Sequence, residues 1–161
     1  MTQTLYAWFP YFKNQTYQNS VTKNRMNYSM WSMLTASAGT SEAGWDLMKQ
    51  SYSEYNQIRE FFYDDYYQLT EYSIKANRWN GWEFFDKESS SGFAQFYCTE
   101  KSTELTKTFC LKGLDASKTY KVVDFDGLVS VTATGEELMT KGITITAPNA
   151  DYCVITLIQT V

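Results

Sequence analysis

Residues 111–127, LKGLDASKTYKVVDFDG, and residues 135–145, GEELMTKGITI, are the stretches whose reading decides the fold. The first reads as two strands joined by turns. Gly113-Leu114-Asp115 leaves one strand, and residues 120–125 form the next. Asp126-Gly127 ends it, because Asp-Gly supplies the positive φ values that a tight hairpin needs. The second stretch closes the unit: Leu138, Met139, Ile143 and Ile145 are its apolar positions, and Lys141-Gly142 breaks a short turn over residues 136–139 before a last strand begins. Nothing here has the pattern of an active site.

Working outward, strand-like runs span residues 79–85, 92–99, 107–111, 119–125, 129–133, 142–146 and 151–158. Their spacing is that of an antiparallel sandwich, with polar turns at 86–92 and 100–104. Trp79 and Trp82 are three apart, so in a strand they point to opposite faces, and one of them is expected to be exposed. Asp124-x-Asp126-Gly127 matches the opening of a calcium loop, but Glu136 falls one place beyond the glutamate position such a loop requires, which leaves a hairpin turn. Cys98, Cys110 and Cys153 each sit in an apolar run and none forms a C-x-x-C pair, so all three read as core thiols.

The first half reads differently. Residues 5–11, an apolar run stopped by Pro10, are consistent with a buried strand; residues 12–18 are loop-like. Residues 20–38 carry Met26, Met30, Met33 and Leu34 at helical intervals, with Trp31 beside them. A strand, loop and helix make half of a βαβ unit, which expects parallel neighbours that the sequence does not show. Thr40 or Ser41 caps a further helix, with Glu42 near its positive end. Trp45, Met48, Tyr52, Tyr55, Arg59 and Phe62 form one stripe on it, opposite a solvated face of Lys49, Gln50, Glu54 and Gln57. Residues 71–77 then read as a linker. The fold class expected is α+β: an N-terminal strand and two or more helices, followed by an all-β antiparallel sandwich.

Composition narrows the function. Aromatic residues make up 17% of the chain, and its tryptophans and most of its tyrosines lie before residue 83, so the first half expects broad flat surfaces to cover. A net charge of −4 without any basic run argues against nucleic acid as partner. No apolar run approaches the roughly 20 residues that span a bilayer, and no signal peptide is evident, so a cytoplasmic chain without membrane association is expected. The sequence has no histidine. The usual general base, the Cys-His and Ser-His pairs and most structural zinc sites are thereby unavailable, and neither metal nor cofactor is expected. Adjacent Asp64 and Asp65 diverge in ordinary backbone and read as a solvated turn.

Gly113-Leu114-Asp115, then Tyr120, Val122 and Asp124, then Gly135, Glu137, Leu138, Met139, Gly142, Ile143 and Ile145 resemble, in order and spacing, the C-terminal domain of family 36 glycoside hydrolases, the α-galactosidase family. The resemblance extends upstream. Trp79, Trp82 and Phe84 are similar to the family's first sandwich strand. Arg59, Tyr63, Asp65, Tyr67, Leu69 and Thr70 are similar to its segment leaving the catalytic barrel. Trp8, Pro10 and Tyr11 are similar to its last barrel strand, with Arg25 near an arginine that follows it. Where the family has a glycine-rich turn after that strand, this chain has Phe12-Lys13-Asn14-Gln15-Thr16.

The resemblance implies that residues 1–75 are the terminal strand and helices of a (β/α)8 barrel and residues 76–161 the C-terminal sandwich. Such enzymes are retaining glycosidases with two catalytic aspartates about 5 to 5.5 Å apart. Both fall on earlier barrel strands, so the resemblance implies no catalytic residue here and no hydrolysis by the isolated chain. Trp8 and Tyr11 would lie at the active-site face of the barrel, where rings stack on sugars, and Arg25 would hold a hydroxyl or a carboxylate. The partner implied is the missing barrel. Uncovered Trp8, Phe9, Met30, Trp31 and Met33 also make association with a second copy expected. The rival reading is a carbohydrate-binding sandwich module, marked by an exposed aromatic row on the sandwich.

Overall fold

The computed structural model describes residues 13–16, 23–30, 33–36, 41–71 and 77–161. The chain divides into two compact units, Met1–Tyr63 and Asp64–Val161.

In the first unit, β1 (Lys13–Thr16), α1 (Lys23–Ser29) and β2 (Met33–Ala36) form a strand-helix-strand unit. The two strands pair in parallel, Lys13 opposite Met33 and Thr16 opposite Ala36. This corrects three expectations. Residues 13–16 are strand where a loop was expected. Of the described residues within the helix expected over 20–38, Lys23–Ser29 are helical and Met33–Ala36 are strand. A parallel partner is also present in the sequence, four residues beyond the helix. Met26 and Met30 do follow one helical interval and both are buried, so Met30 is not left uncovered. Met33 and Leu34 extend that interval numerically but belong to a strand, because pairing with β1 outweighs a local period that short apolar runs cannot settle. The strand expected over residues 5–11 lies outside the described residues.

Ser41 caps α2 (Glu42–Ile58): its backbone is extended and its Oγ accepts the Gly44 N–H at 3.3 Å. A 3-10 turn, Arg59–Tyr63, continues it. The buried positions are Gly44, Ser51, Glu54, Tyr55 and Ile58, then Phe62. The expected stripe is therefore rotated: Tyr55 and Phe62 are inside, but Trp45 and Tyr52 are 42% and 54% exposed. Glu54, expected in solvent, is buried. Lys23 of α1 donates to it, as does Gln50 Nε2 at 3.0 Å. That pairing removes the cost of burying the carboxylate, and with small Gly44 and Ser51 it sets the inward face.

The second unit is built on six antiparallel strands in the order β3-β4-β5-β10-β7-β8. These are β3 (Asp65–Gln68), β4 (Trp79–Asp86), β5 (Ser91–Cys98), β7 (Thr119–Asp124), β8 (Ser130–Thr134) and β10 (Tyr152–Thr160). β6 (Thr106–Phe109) and β9 (Ile143–Thr146) pair as a separate two-stranded ribbon. The sequence places the domain boundary after residue 75, but β3 pairs with β4, Asp65 opposite Phe85, so the sheet begins at residue 65.

One face of the sheet carries Trp79, Phe85, Ala94, Phe96, Tyr120, Val122, Val154 and Ile158; these pack with Phe109, Ile143 and Ile145 of the ribbon and with Leu111 and Leu138. The opposite face of β4, β5 and β10 is buried as well, through Trp82, Phe84, Phe93, Gln95 and Ile155. Phe84 stacks on Phe93 at 5.2 Å and Trp82 Nε1 donates to Gln95 Oε1 at 2.6 Å. A strand apolar on both faces reads as a nearly continuous hydrophobic run, as WNGWEFFD does, and belongs to a middle layer. Trp79 and Trp82 do point to opposite faces, but neither is exposed: they retain 2% and 1% of their surface.

The hairpin between β7 and β8 turns at Gly127, φ +78°, where Asp124 accepts the N–H groups of Asp126 and Val129. A short α3 (Gly135–Thr140) is closed by a capping box. Thr134 Oγ1 accepts from Glu137 N and the Glu137 carboxylate accepts from Thr134 N. Thr134→Ala is expected to cost about 1 kcal/mol in urea unfolding, with Thr134→Ser close to wild type. Cys98 and Cys153 are core thiols, but Cys110 is exposed, because it follows the inward Phe109 in an alternating strand end. No helix among the described residues is long and apolar enough to cross a membrane.

Candidate functional site

The residues nominated for sugar contact are not brought together by the described structure. Trp8 and Tyr11 lie outside the described residues. Arg25 is in α1, its side chain also outside them. Asp64 and Asp65 do not form an acid/base pair. Asp65 is ion-paired to Lys87 at 2.7 Å, which holds its carboxyl below the ordinary range. Asp64 is pushed up, first by partial burial and then by the charges of Asp86, Asp65 and Glu88. Among the described residues no three acidic or sulfur side chains lie close enough to share a metal ion.

Two features of the second unit carry polar chemistry instead. The first is an open cleft of about 360 Å³ beside the β4–β5 turn, lined by Glu88, Ser89, Ser90, Lys118, Thr119, Thr160 and Val161. Its hydroxyls and the Lys118 ammonium offer hydrogen bonds, but Lys118 Nζ already donates to Ser90 Oγ at 2.6 Å.

The second is Glu83, which sequence reasoning missed. On β4 it shares a face with Trp79, Gly81 and Phe85, and it is fully buried. Glu83 Oε2 accepts the Lys112 backbone N–H at 2.8 Å, and Oε1 has no partner among the described residues. Burial pushes its carboxyl up to about 8, against the opposing pull of the Lys112 amide and ammonium. The group is therefore protonated at neutral pH. Its signal in the sequence was a lone acid at an even step from Trp79 and Phe85 inside an apolar strand. A protonated carboxyl with one backbone partner suits holding a segment in place, not attack on a substrate.

Antiparallel strands, a ribbon closing one face and a core of interleaved aromatic rings define a β-sandwich domain. Residues 79–157 match the glycosyl hydrolase family 36 C-terminal domain. No curated protein matches the chain. Among solved structures, the family 36 α-galactosidase AgaB of Geobacillus stearothermophilus aligns over 86% of this chain with a TM-score of 0.70 and 20% identity. The α-galactosidase of Lactobacillus brevis aligns over 86% with a TM-score of 0.70 and 18% identity. The galactosidase domain of the α-galactosidase-sucrose kinase AgaSK aligns over 85%, with 0.65 and 14%. At these identities the likeness is one of fold. The match takes in 19%, 20% and 19% of those three chains, so this chain spans about a fifth of their length.

Proposed function

We propose that this chain is the C-terminal part of an α-galactosidase-like glycoside hydrolase, in which the last strands and helices of a (β/α)8 barrel lead into a sandwich that braces the barrel. The observation that carries this reading is the family match of residues 79–157, on a domain whose central sheet is apolar on both faces. Such a sheet is built to lie between layers. The parallel β1-α1-β2 unit supports the barrel part, since parallel pairs occur almost only within larger α/β sheets. Trp8, Tyr11 and Arg25 would be its contribution to the sugar site, and the two catalytic aspartates would come from elsewhere in the parent polypeptide. The exposed Trp45 and Tyr52 rings on α2 would be covered by that polypeptide or by a second copy.

The rival, a sandwich that binds sugars by itself, gains nothing from the sandwich surface. Among the described residues its exposed large apolar side chains are Leu105, Leu128 and Val161, none of them a ring. Hydrolysis of a chromogenic α-galactoside by the isolated chain, beside titrations with galactose and raffinose, separates the readings. Neither turnover nor binding is expected. Saturable binding without turnover favours the module, and turnover overturns the assignment of the catalytic residues.

A further inference from the structure

The ribbon of β6 and β9 has an edge on each side, and its register fixes which backbone groups those edges present. Ala147 N donates to Leu105 O at 2.8 Å, and Thr106 stands opposite Thr146, Thr108 opposite Thr144. Bonded and non-bonded pairs alternate along an antiparallel ladder, so Lys107 with Ile145 and Phe109 with Ile143 exchange the ribbon's hydrogen bonds. The N–H and C=O groups of Thr144 and Thr146 therefore point away from β6. The side chains agree. The hydroxyls of Thr106 and Thr146 meet at 3.0 Å and those of Thr108 and Thr144 at 2.9 Å, the close approach of pairs that exchange no backbone bond. Among the described residues no strand pairs with the outer side of β9, and Thr144 and Thr146 are exposed.

An open edge is a template for another strand unless charge, proline or a cover blunts it. The edge strands of the second unit differ in this respect. β3 carries Asp65 in its ion pair with Lys87, and β6 carries the exposed Lys107. β8 is uncharged, but the Glu137 carboxylate takes the Thr134 N–H, and acids flank both of its ends, Asp124 and Asp126 before it and Glu136 and Glu137 after it. A pair of β8 strands running antiparallel would set those carboxylates against each other. β9, Ile-Thr-Ile-Thr, has neither charge nor proline and is entered from the cation Lys141. Its edge also complements itself. About a two-fold axis at Ile145, Thr144 of one copy faces Thr146 of the other, and each facing pair has its N–H and C=O groups aimed at the other strand.

We propose that β9 is a docking edge for a second copy of this chain: the β9 strands of two copies pair antiparallel and join their ribbons into one continuous sheet. The threonine hydroxyls then run in rows across the joint, Thr108 and Thr144 of one copy followed by Thr146 and Thr106 of the other, and facing threonines favour such a pairing. Ile143 and Ile145 stay in the core of their own domain. The strand left outermost on each side is β6, where Lys107 opposes further addition, so the assembly closes as a dimer. A joint of 4 residues per strand belongs to the small, transient class of interface, with a dissociation constant on the order of 0.1 mM.

Sedimentation velocity of the full chain, from about 10 μM to about 1 mM, is expected to pass from monomer to dimer. Thr144→Lys combined with Thr146→Lys is expected to raise the dissociation constant about tenfold or more, and Thr144→Glu combined with Thr146→Glu to do the same, since like charges then face each other across the joint. An equimolar mixture of these two variants recovers the dimer, which neither misfolding nor a different contact surface would produce. Ser130→Lys combined with Thr132→Lys, on the β8 edge, leaves association unchanged. In the unmodified chain, amide exchange at Thr144 and Thr146 is expected to slow as protein concentration rises, while Thr106 and Thr108 on the opposite edge keep their rates. A monomer throughout that range, undiminished association in either charged variant, no recovery in the mixture, growth past a dimer, or exchange at Thr144 and Thr146 that ignores concentration would each overturn the edge pairing.

Discussion

Gly92→Ala is expected to cost about 3 kcal/mol or more in urea unfolding, a large loss for the addition of one methyl group. Gly92 lies in β5 between Phe85 on one neighbour and Ile158 on the other. A Cβ there would stand 2.2 Å from the Phe84 carbonyl oxygen and 2.9 Å from Phe85 Cα. Both are backbone atoms of a paired strand, so relief requires parting β4 from β5 instead of turning a side chain. Gly127→Ala is the contrast. Nothing lies within 4 Å of an added Cβ there, and only the φ of +78° resists it, at about 1 to 2 kcal/mol. If Gly92→Ala proves no worse than Gly127→Ala, the close approach of β4 and β5 is wrong.

Trp79→Ala is expected to cost about 3 to 5 kcal/mol, read as a lower urea midpoint with an unchanged slope. Trp79 is 2% exposed and its edge meets Phe109 of the ribbon at 5.7 Å. Its Nε1 donates to Glu104 O at 2.7 Å, where Ser102 Oγ also donates, so the ring pins the loop before β6 as well as filling the core. Truncation leaves a cavity between sheet and ribbon and removes one of the donors to the Glu104 carbonyl. Against a total stability of about 5 to 15 kcal/mol, that loss brings the domain near unfolding at ambient temperature. Trp79→Phe should recover part of it, since the packing returns without the loop tether. Wild-type stability in Trp79→Ala would place Trp79 outside the core.

The sandwich was more legible than the unit before it because its strands depend on nearest neighbours and a period of two. Residues 119–125, 129–133 and 142–146 were read within a residue or two of β7, β8 and β9, since Asp126-Gly127 and Gly142 mark the turns through backbone conformations few other residues adopt. The first unit was harder. A parallel pair is joined across a helix, so its register is not written in adjacent residues, and β2 was absorbed into a helical interval begun by Met26 and Met30. The rotation of α2 escaped for a related reason: Glu54 reads as a surface residue until Lys23, thirty-one positions away, is placed beside it.

The candidate sites divide in the same way. Trp8, Tyr11 and Arg25 were nominated by likeness to a family pattern and remain a proposal about the parent enzyme. Glu83 was passed over because one acid in an apolar strand says nothing by itself about what it meets.

By itself the sequence determined the antiparallel sandwich, its turns, the family 36 character of its C-terminal region and the opposed faces of Trp79 and Trp82. Each follows from local conformational preference and alternation along one strand. Only the tertiary structure decided that both tryptophans are buried, that Glu54 turns inward and that Glu83 keeps a proton beneath Lys112. Burial and ionisation depend on what distant segments place around a group, and no local pattern contains that information.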